Sequence, residues 1–254
     1  MTASAPSARA TASADQVASG PSGGMSPTRK IALAAGIAYL VTFAASIPQL
    51  ALFADLIDDP ARYISTPGSD LAVRWGSWLE FMTAVSGIAT AVFLYPVTRR
   101  VSRTAAIGFV TTRVLEAATI IAGTMCVMAV VSLKAHYAGA TGAEADALRV
   151  TGEALVATRQ WSFLFGPGIL PALNALFLGY AVYRGRLVPR LIPTIGLVGS
   201  PLLFASATVT LLGGWGQVST AAALLALPIA AWEFSLGVYL TFKGFKNVPE
   251  AVGA

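Results

Sequence analysis

The sequence has very few of the residues on which most metal centres and many active sites depend. It contains one cysteine, Cys126, and one histidine, His136. A single cysteine excludes an intramolecular disulfide, and this pair is too small a set for a multi-residue zinc site or a bis-histidine haem. HExxH, glycine-rich phosphate-loop and Ser/His/Asp patterns are also missing. We therefore predict no cofactor and no enzymatic activity, with lipid turnover as the alternative.

Charged residues are scarce as well. They make up 11% of the chain, whereas 56% of its residues are hydrophobic. Soluble domains carry roughly 25% charged residues, so this chain lacks the polar surface that a water-exposed globule needs. The lipid bilayer is therefore the predicted partner. The basic residues, which give a net charge of +5, lie in short clusters between apolar runs, and this distribution predicts no nucleic-acid partner.

What the chain does have is six long apolar runs, each of the length that crosses roughly 30 Å of hydrocarbon. They predict an all-α, polytopic membrane helix bundle over residues 29–246. The runs cover residues 31–53, 75–98, 104–133, 160–183, 191–212 and 218–242. Residues 1–28, rich in Ala, Ser and Pro, are predicted to be a disordered tail, and residues 247–254 a short second tail. A signal peptide beginning near Arg29 is an alternative that the length of the first run disfavours.

The basic flanks of the runs predict the orientation. Ten Lys and Arg residues lie on one side of the six runs and five on the other. The positive-inside rule then predicts a multi-pass protein of the plasma membrane with both termini in the cytoplasm. The five residues assigned to the outer side are Arg62, Arg74, Lys134, Arg149 and Arg159.

Polar residues inside the runs share a common depth. Arg113, Asn174 and Glu233 each lie ten residues from a basic flank, roughly 15 Å along a helix, and Glu116 follows Arg113 by one turn. Charged groups in hydrocarbon are costly and usually face the bundle interior with partners. We therefore predict that three helices pack together around Arg113. These four residues are the candidate site for a small molecule or an ion, and a purely structural ion pair is the alternative.

Three other features have open interpretations. Glu80 lies five residues after Trp75 and is predicted to sit at the outer interface, reaching the headgroups or lining a vestibule. Pro167 and Pro171 predict either a kink in the fourth run or backbone that lines a cavity. The weakly amphipathic residues 143–159 are either a surface helix or an extension of that run, with an Arg149–Glu153 pair at helical spacing.

Three segments also resemble a known family. They are TRKIALAAGIAYLVTF at residues 28–43, FLYPVTRRVSRTAAIGF at residues 93–109 and TRVLEA at residues 112–117. These segments are similar to the bacterial membrane proteins grouped as domain-of-unknown-function family 4386, and the likeness covers about residues 29–245. Its most specific element is the Arg–Glu pair, here Arg113 and Glu116. The resemblance implies a multi-span helical fold and no established activity.

Overall fold

The computed structural model describes residues 25–248, and within that range the protein is helical with no strand. The predicted tails at residues 1–28 and 247–254 lie largely outside the described residues. The helices are α1 (Pro27–Ser46), α2 (Pro48–Leu52), α3 (Ala54–Asp58), α4 (Pro60–Ser65), α5 (Leu71–Thr98), α6 (Arg103–Tyr137), α7 (Ala143–Phe163), α8 (Leu170–Arg184), α9 (Leu191–Leu211) and α10 (Thr220–Phe242).

Six helical segments in the described residues are long and apolar enough to cross a membrane. This number confirms the six spans predicted from the apolar runs. The segments are Pro27–Leu52, Leu71–Thr98, Arg103–Tyr137, Ala143–Arg184, Leu191–Leu211 and Thr220–Phe242. The molecule is therefore a multi-pass membrane helix bundle. The face where α1 begins and α10 ends is the terminal face, and the opposite face, with α2–α4, is the loop face.

Serine caps fix where three of the spans begin. The side chain of Ser26 accepts a hydrogen bond from the backbone amide of Arg29 at 3.3 Å. Pro27 is tolerated in the first turn because an amide N–H at that position would have no acceptor within the helix. Ser102 and Ser219 cap α6 and α10 in the same way. These hydroxyls satisfy amides that would otherwise be unpaired at the start of each span.

The spans close into a ring in which each contacts two neighbours. α1 packs against α5 and α10, α5 against α6, α6 against α7 and α8, α8 against α9, and α9 against α10. Large apolar side chains cover the outside of this ring, which is the surface that faces lipid. Examples are Val92, Ile107, Met125, Leu191 and Leu227. Because acyl chains offer no hydrogen-bonding groups, the polar residues of the spans find their partners in the interior of the ring.

The contact between α1 and α10 is unusually close because it is built on glycines. A Cβ atom on Gly36 would lie 2.6 Å from the backbone nitrogen of Thr241 and 2.8 Å from the carbonyl of Gly237. The side chain of Arg29 also donates to the carbonyls of Leu240 and Thr241, at 2.9 and 2.5 Å. These carbonyls lie in the last turn of α10, where no amide of the helix is available to bind them. These contacts hold α10 against α1 at the terminal face.

The loop face differs most from what the sequence suggests. The first span ends in α2, and the segment after it is largely helical, because α3 and α4 follow within residues 54–65. α7 is continuous with the fourth span through a π-helical turn, Leu164–Gly168, which contains Pro167. Residues 143–159 are therefore an extension of that span. On α7, Arg149 pairs with Asp146 at 3.0 Å, so the Glu153 pairing expected from helical spacing is wrong.

Candidate functional site

The centre of the bundle contains a four-residue polar group, named here the central cluster: Arg113, Glu116, Asn174 and Glu233. Arg113 and Glu116 lie one turn apart on α6, and the Nη1 of Arg113 donates to Oε2 of Glu116 at 2.9 Å. The Nη2 of the same guanidinium donates to Oε1 of Glu233 on α10. One arginine therefore holds two carboxylates, one from its own helix and one from across the ring.

Asn174 joins the cluster from α8. Its Nδ2 donates to Oε2 of Glu116 at 2.6 Å, so this carboxylate oxygen accepts from both Asn174 and Arg113. An ionised carboxylate can only accept, which fixes the amide with its nitrogen toward Glu116. The Oδ1 of Asn174 is then left buried and without a donor among the described residues.

The central cluster has a surplus of negative charge and almost no free space. Arg113 contributes one positive charge, whereas Glu116 and Glu233 contribute two negative charges when both are ionised. A crevice of about 10 Å³ borders Arg113 and Glu116, and residues of α1 and α5 that include Gly87 also line it. That volume is close to the minimum that holds one water molecule.

The four candidate residues lie together as the sequence predicts, on three different spans. Arg113, Glu116 and Asn174 are buried. Glu233 is the more accessible carboxylate, since 18% of its side chain is exposed. Two aromatic rings lie close to Arg113. Its guanidinium carbon is 5.5 Å from the ring centre of Tyr39 and 5.7 Å from that of Phe109. Both distances suit cation–π contact.

A second buried ion pair, named here the outer pair, joins Glu80 on α5 to Arg159 on α7. The Nη2 of Arg159 donates to Oε1 of Glu80 at 2.5 Å, and the hydroxyl of Thr124 donates to Oε2 of Glu80 at 2.7 Å. Thr124 lies eight residues beyond Glu116 on α6, so this pair sits about 12 Å closer to the loop face than the central cluster.

The outer pair corrects two expectations from the sequence. Glu80 is 3% exposed and does not reach the headgroups, and Arg159 is 4% exposed and does not lie in a loop. Arg159 is buried because α7 continues the fourth span, which is the second of the two alternatives for residues 143–159, and its guanidinium reaches Glu80 on α5. An Arg at the junction of two helical segments, one of them proline-bearing, was the only sequence signal of this pair. With Arg159 assigned to the interior, the basic flank residues number ten at the terminal face and four at the loop face.

Arg159 also borders a cavity of about 400 Å³ in the described part of the chain, named here the outer cavity. Its guanidinium carbon lies 5.5 Å from the ring centre of Phe53 and 5.0 Å from that of Phe163. The cavity is at the loop face, where Leu50, Ile57, Trp161, Trp215 and Val218 contribute much of its wall. A mainly apolar space thus ends at a fixed cation.

A third charged pair lies at the surface of the loop face. Asp70 accepts hydrogen bonds from Lys134 at 2.8 Å and from the hydroxyl of Tyr63 at 2.7 Å. Partial burial raises the pKa of Asp70, but the hydrogen bonds from Lys134 and Tyr63 and the charges of Lys134 and Arg74 outweigh it and leave the pKa below its usual value. Burial and the same hydrogen bond to Asp70 raise the pKa of Tyr63.

Comparison with known proteins identifies a family but no activity. A family model described as "Domain of unknown function (DUF4386)" matches residues 34–244, most of the spanning region and all of the central cluster and the outer pair. No curated protein and no solved structure is detectably similar to the chain. Within residues 25–248, no group of three His, Cys, Asp or Glu side chains is arranged to hold a metal ion.

Proposed function

The chain belongs to the DUF4386 family, whose description assigns no activity, and from this premise we propose that it binds and moves a small monovalent cation, the proton included, at the central cluster. The observation that carries the proposal is the ratio of two carboxylates to one guanidinium in the middle of the bundle. With both Glu116 and Glu233 ionised, the cluster has a net charge of −1. One bound cation or one proton makes it neutral, which is the cheaper state in a low-dielectric interior.

The size of the available space supports an ion rather than a larger molecule. The crevice beside Arg113 and Glu116 measures about 10 Å³, which suits one water molecule or an ion of similar size. Glu116 lines the crevice, and its carboxylate oxygens are of the kind that bind hard cations. The carboxylate of Glu233 and the unpaired Oδ1 of Asn174 belong to the same cluster without lining the crevice. Because Glu233 is partly exposed, it is the carboxylate through which the ion is exchanged.

Proteoliposomes test this function directly. We expect vesicles containing the protein to take up protons or Na⁺ when a membrane potential is imposed, measured with a pH-sensitive or a Na⁺-sensitive dye in separate arms. Glu233→Gln keeps the shape of the side chain and removes the charge, so uptake should fall to the level of empty vesicles. Glu153→Gln, at an exposed position on α7, is the control and should keep uptake. Absence of uptake by the native protein in both arms would refute the proposal.

A second variant closes the crevice without changing any charge. A Cβ atom on Gly87 would meet nothing within 4 Å, because it enters the crevice itself. Gly87→Ala should therefore fold normally and reduce ion uptake severely. Gly139→Ala, in the turn after α6, makes the same substitution away from the crevice and should have no effect. Equal uptake by both variants would mean that the ion does not pass this point.

A second candidate function is that of a non-transporting membrane scaffold. The observation that favours it is the pairing of both Nη atoms of Arg113 and the bond from Asn174 to Glu116, which together tie α6, α8 and α10. Replacing buried ion pairs by apolar residues of similar size is often neutral or stabilising. Under this function, a triple variant with Arg113→Met, Glu116→Leu and Glu233→Leu keeps both stability and any cellular phenotype. Under ion transport, it folds and loses uptake.

We also propose that the terminal face is cytoplasmic and that the host membrane is the plasma membrane. The support is the excess of Lys and Arg at that face, ten against four once Arg159 is assigned to the interior. In a Cys126→Ser background, a membrane-impermeant maleimide added to intact cells should label Gly139→Cys and spare Lys243→Cys. The reverse labelling pattern would invert the orientation.

A further inference from the structure

The outer cavity has the size, the wall and the charge of a site for an amphiphilic ligand. It encloses about 400 Å³, within the range of small-molecule sites. Trp161 and Trp215 lie in its wall, and these amphipathic side chains are typical of the membrane–water interface. These two side chains predict that the cavity lies at the depth where the headgroups meet the acyl chains.

Two nitrogens of the Arg159 guanidinium have no hydrogen-bond acceptor among the described residues. Its Nη2 is used by Glu80, but its Nε has no partner among the described residues, and none of them accepts a hydrogen bond from Nη1. The Nε1 of Trp215 is a further buried donor without a partner in that part of the chain. No carboxylate lies in the cavity wall. The cavity thus borders a permanent cation whose Nη1 has no acceptor among the described residues, and it has no anion in its wall.

The central cluster shows that a buried arginine in this bundle can pair with two carboxylates. Arg113 has a carboxylate on each Nη atom, whereas Arg159 has one carboxylate and an adjacent cavity. The rings of Phe53 and Phe163 both lie within cation–π distance of the guanidinium of Arg159. We infer that the outer cavity binds the carboxylate of a single-chain amphiphile, whose head pairs with Arg159 as the second carboxylate does with Arg113.

The volume of the outer cavity limits the length of the ligand's alkyl chain. Since a water molecule occupies about 30 Å³ in the liquid, the cavity holds about a dozen groups of that size. A medium-chain carboxylate fits this space, and a two-chain phospholipid is far larger. The apolar side chains of Leu50, Ile57 and Val218 form the surface that the alkyl chain of the ligand contacts.

The ligand class is tested by binding measurements on the full chain in nanodiscs of zwitterionic lipid. The probe is dodecanoate, with dodecanol as the neutral analogue, and native mass spectrometry counts bound molecules. We expect one dodecanoate per chain, bound at least about tenfold more tightly than dodecanol, because a charge-assisted hydrogen bond is lost in the alcohol. Equal binding of both probes would show simple partition into lipid. Displacement of dodecanoate by added anionic phospholipid would assign the site to a lipid headgroup, and either result would overturn the inference.

Two variants locate the ligand. A Cβ atom on Gly216, which lines the cavity, meets nothing within 4 Å, so Gly216→Trp fills the space without a clash at its base and should weaken dodecanoate binding at least about tenfold. Gly139→Trp, in the other turn of the loop face, is the matched control and should bind normally. The double variant Arg159→Gln with Glu80→Gln leaves no unpaired charge and should lose the preference for dodecanoate over dodecanol. Retained preference in a folded double variant would contradict the role of Arg159.

Discussion

The two buried arginines of this bundle have the same chemistry but different surroundings. Arg113 pairs with two carboxylates and borders a crevice of about 10 Å³, whereas Arg159 pairs with one and borders a cavity of about 400 Å³. Where the chain supplies both partners, the space is filled. Where it supplies one, space is left beside the guanidinium. Charge count and free volume together therefore separate a site for an ion from a site for a molecule.

Each pair also joins helices that are distant in sequence. Arg113 and Glu233 are 120 residues apart, and Glu80 and Arg159 are 79 residues apart. Lipid does not drive apolar helices together, so packing and interhelical polar contacts decide which helices associate. A buried charge that loses its partner is strongly unfavourable, and the two pairs therefore fix the register of the ring at two depths.

The largest effect is expected from removing the hub of the central cluster. Arg113→Met leaves two buried carboxylates without their cation, and it should lower the free energy of unfolding by about 3–5 kcal/mol or prevent folding. Unfolding in mixed micelles measures this, with Arg149→Met as a control at a position of greater exposure. Adding Glu116→Leu and Glu233→Leu should restore stability. A single variant as stable as the native protein would show that the carboxylates do not need the arginine.

A smaller effect is expected at the outer pair. Arg159→Met leaves one buried carboxylate rather than two, and Glu80 keeps its bond from Thr124. We expect a loss of about 1–3 kcal/mol in the same unfolding measurement. A loss equal to that of Arg113→Met would remove the energetic difference between the two regions.

The close contact of α1 with α10 should matter for the central cluster alone. Gly36→Ala forces its Cβ against the backbone of Thr241 and Gly237, shifts α10 with Glu233, and should cost about 1–3 kcal/mol. Gly87→Ala is the matched substitution into open space and should leave the stability nearly unchanged. Dodecanoate binding should be the same in both variants. Impaired dodecanoate binding in Gly36→Ala would mean that the two regions are coupled.

The smallest effect is expected at the surface pair, which shows what a partly exposed ion pair contributes. Because the pKa of Asp70 is lowered, its contribution to stability is complete above the ordinary value of 3.8 and is lost as the pH falls through the lowered value. Asp70→Asn should cost less than about 1 kcal/mol, should weaken this acid dependence, and should be sensitive to salt. Unfolding curves from pH 2 to about pH 7 test this. An unchanged acid dependence in Asp70→Asn would assign it to another group.

The central cluster was predictable because its members lie well inside long apolar runs, where a charged side chain has no other destination than the interior. Ten-residue offsets from the basic flanks were enough to place Arg113, Asn174 and Glu233 at one level. The outer pair was not predictable in this way. Glu80 lies near the start of its run and Arg159 immediately before the start of another, and side chains in such positions usually reach water.

The sequence by itself determined that this is a six-span helical membrane protein of the DUF4386 family with an arginine between carboxylates at its centre, because hydrocarbon length and the cost of buried charge leave few alternatives. Only the tertiary structure decided that α7 carries Arg159 inward to Glu80 and that a cavity stands beside it. That outcome depends on how a π-helical turn directs one helix relative to another, and backbone direction over such distances is set by the packing of the whole ring rather than by local sequence.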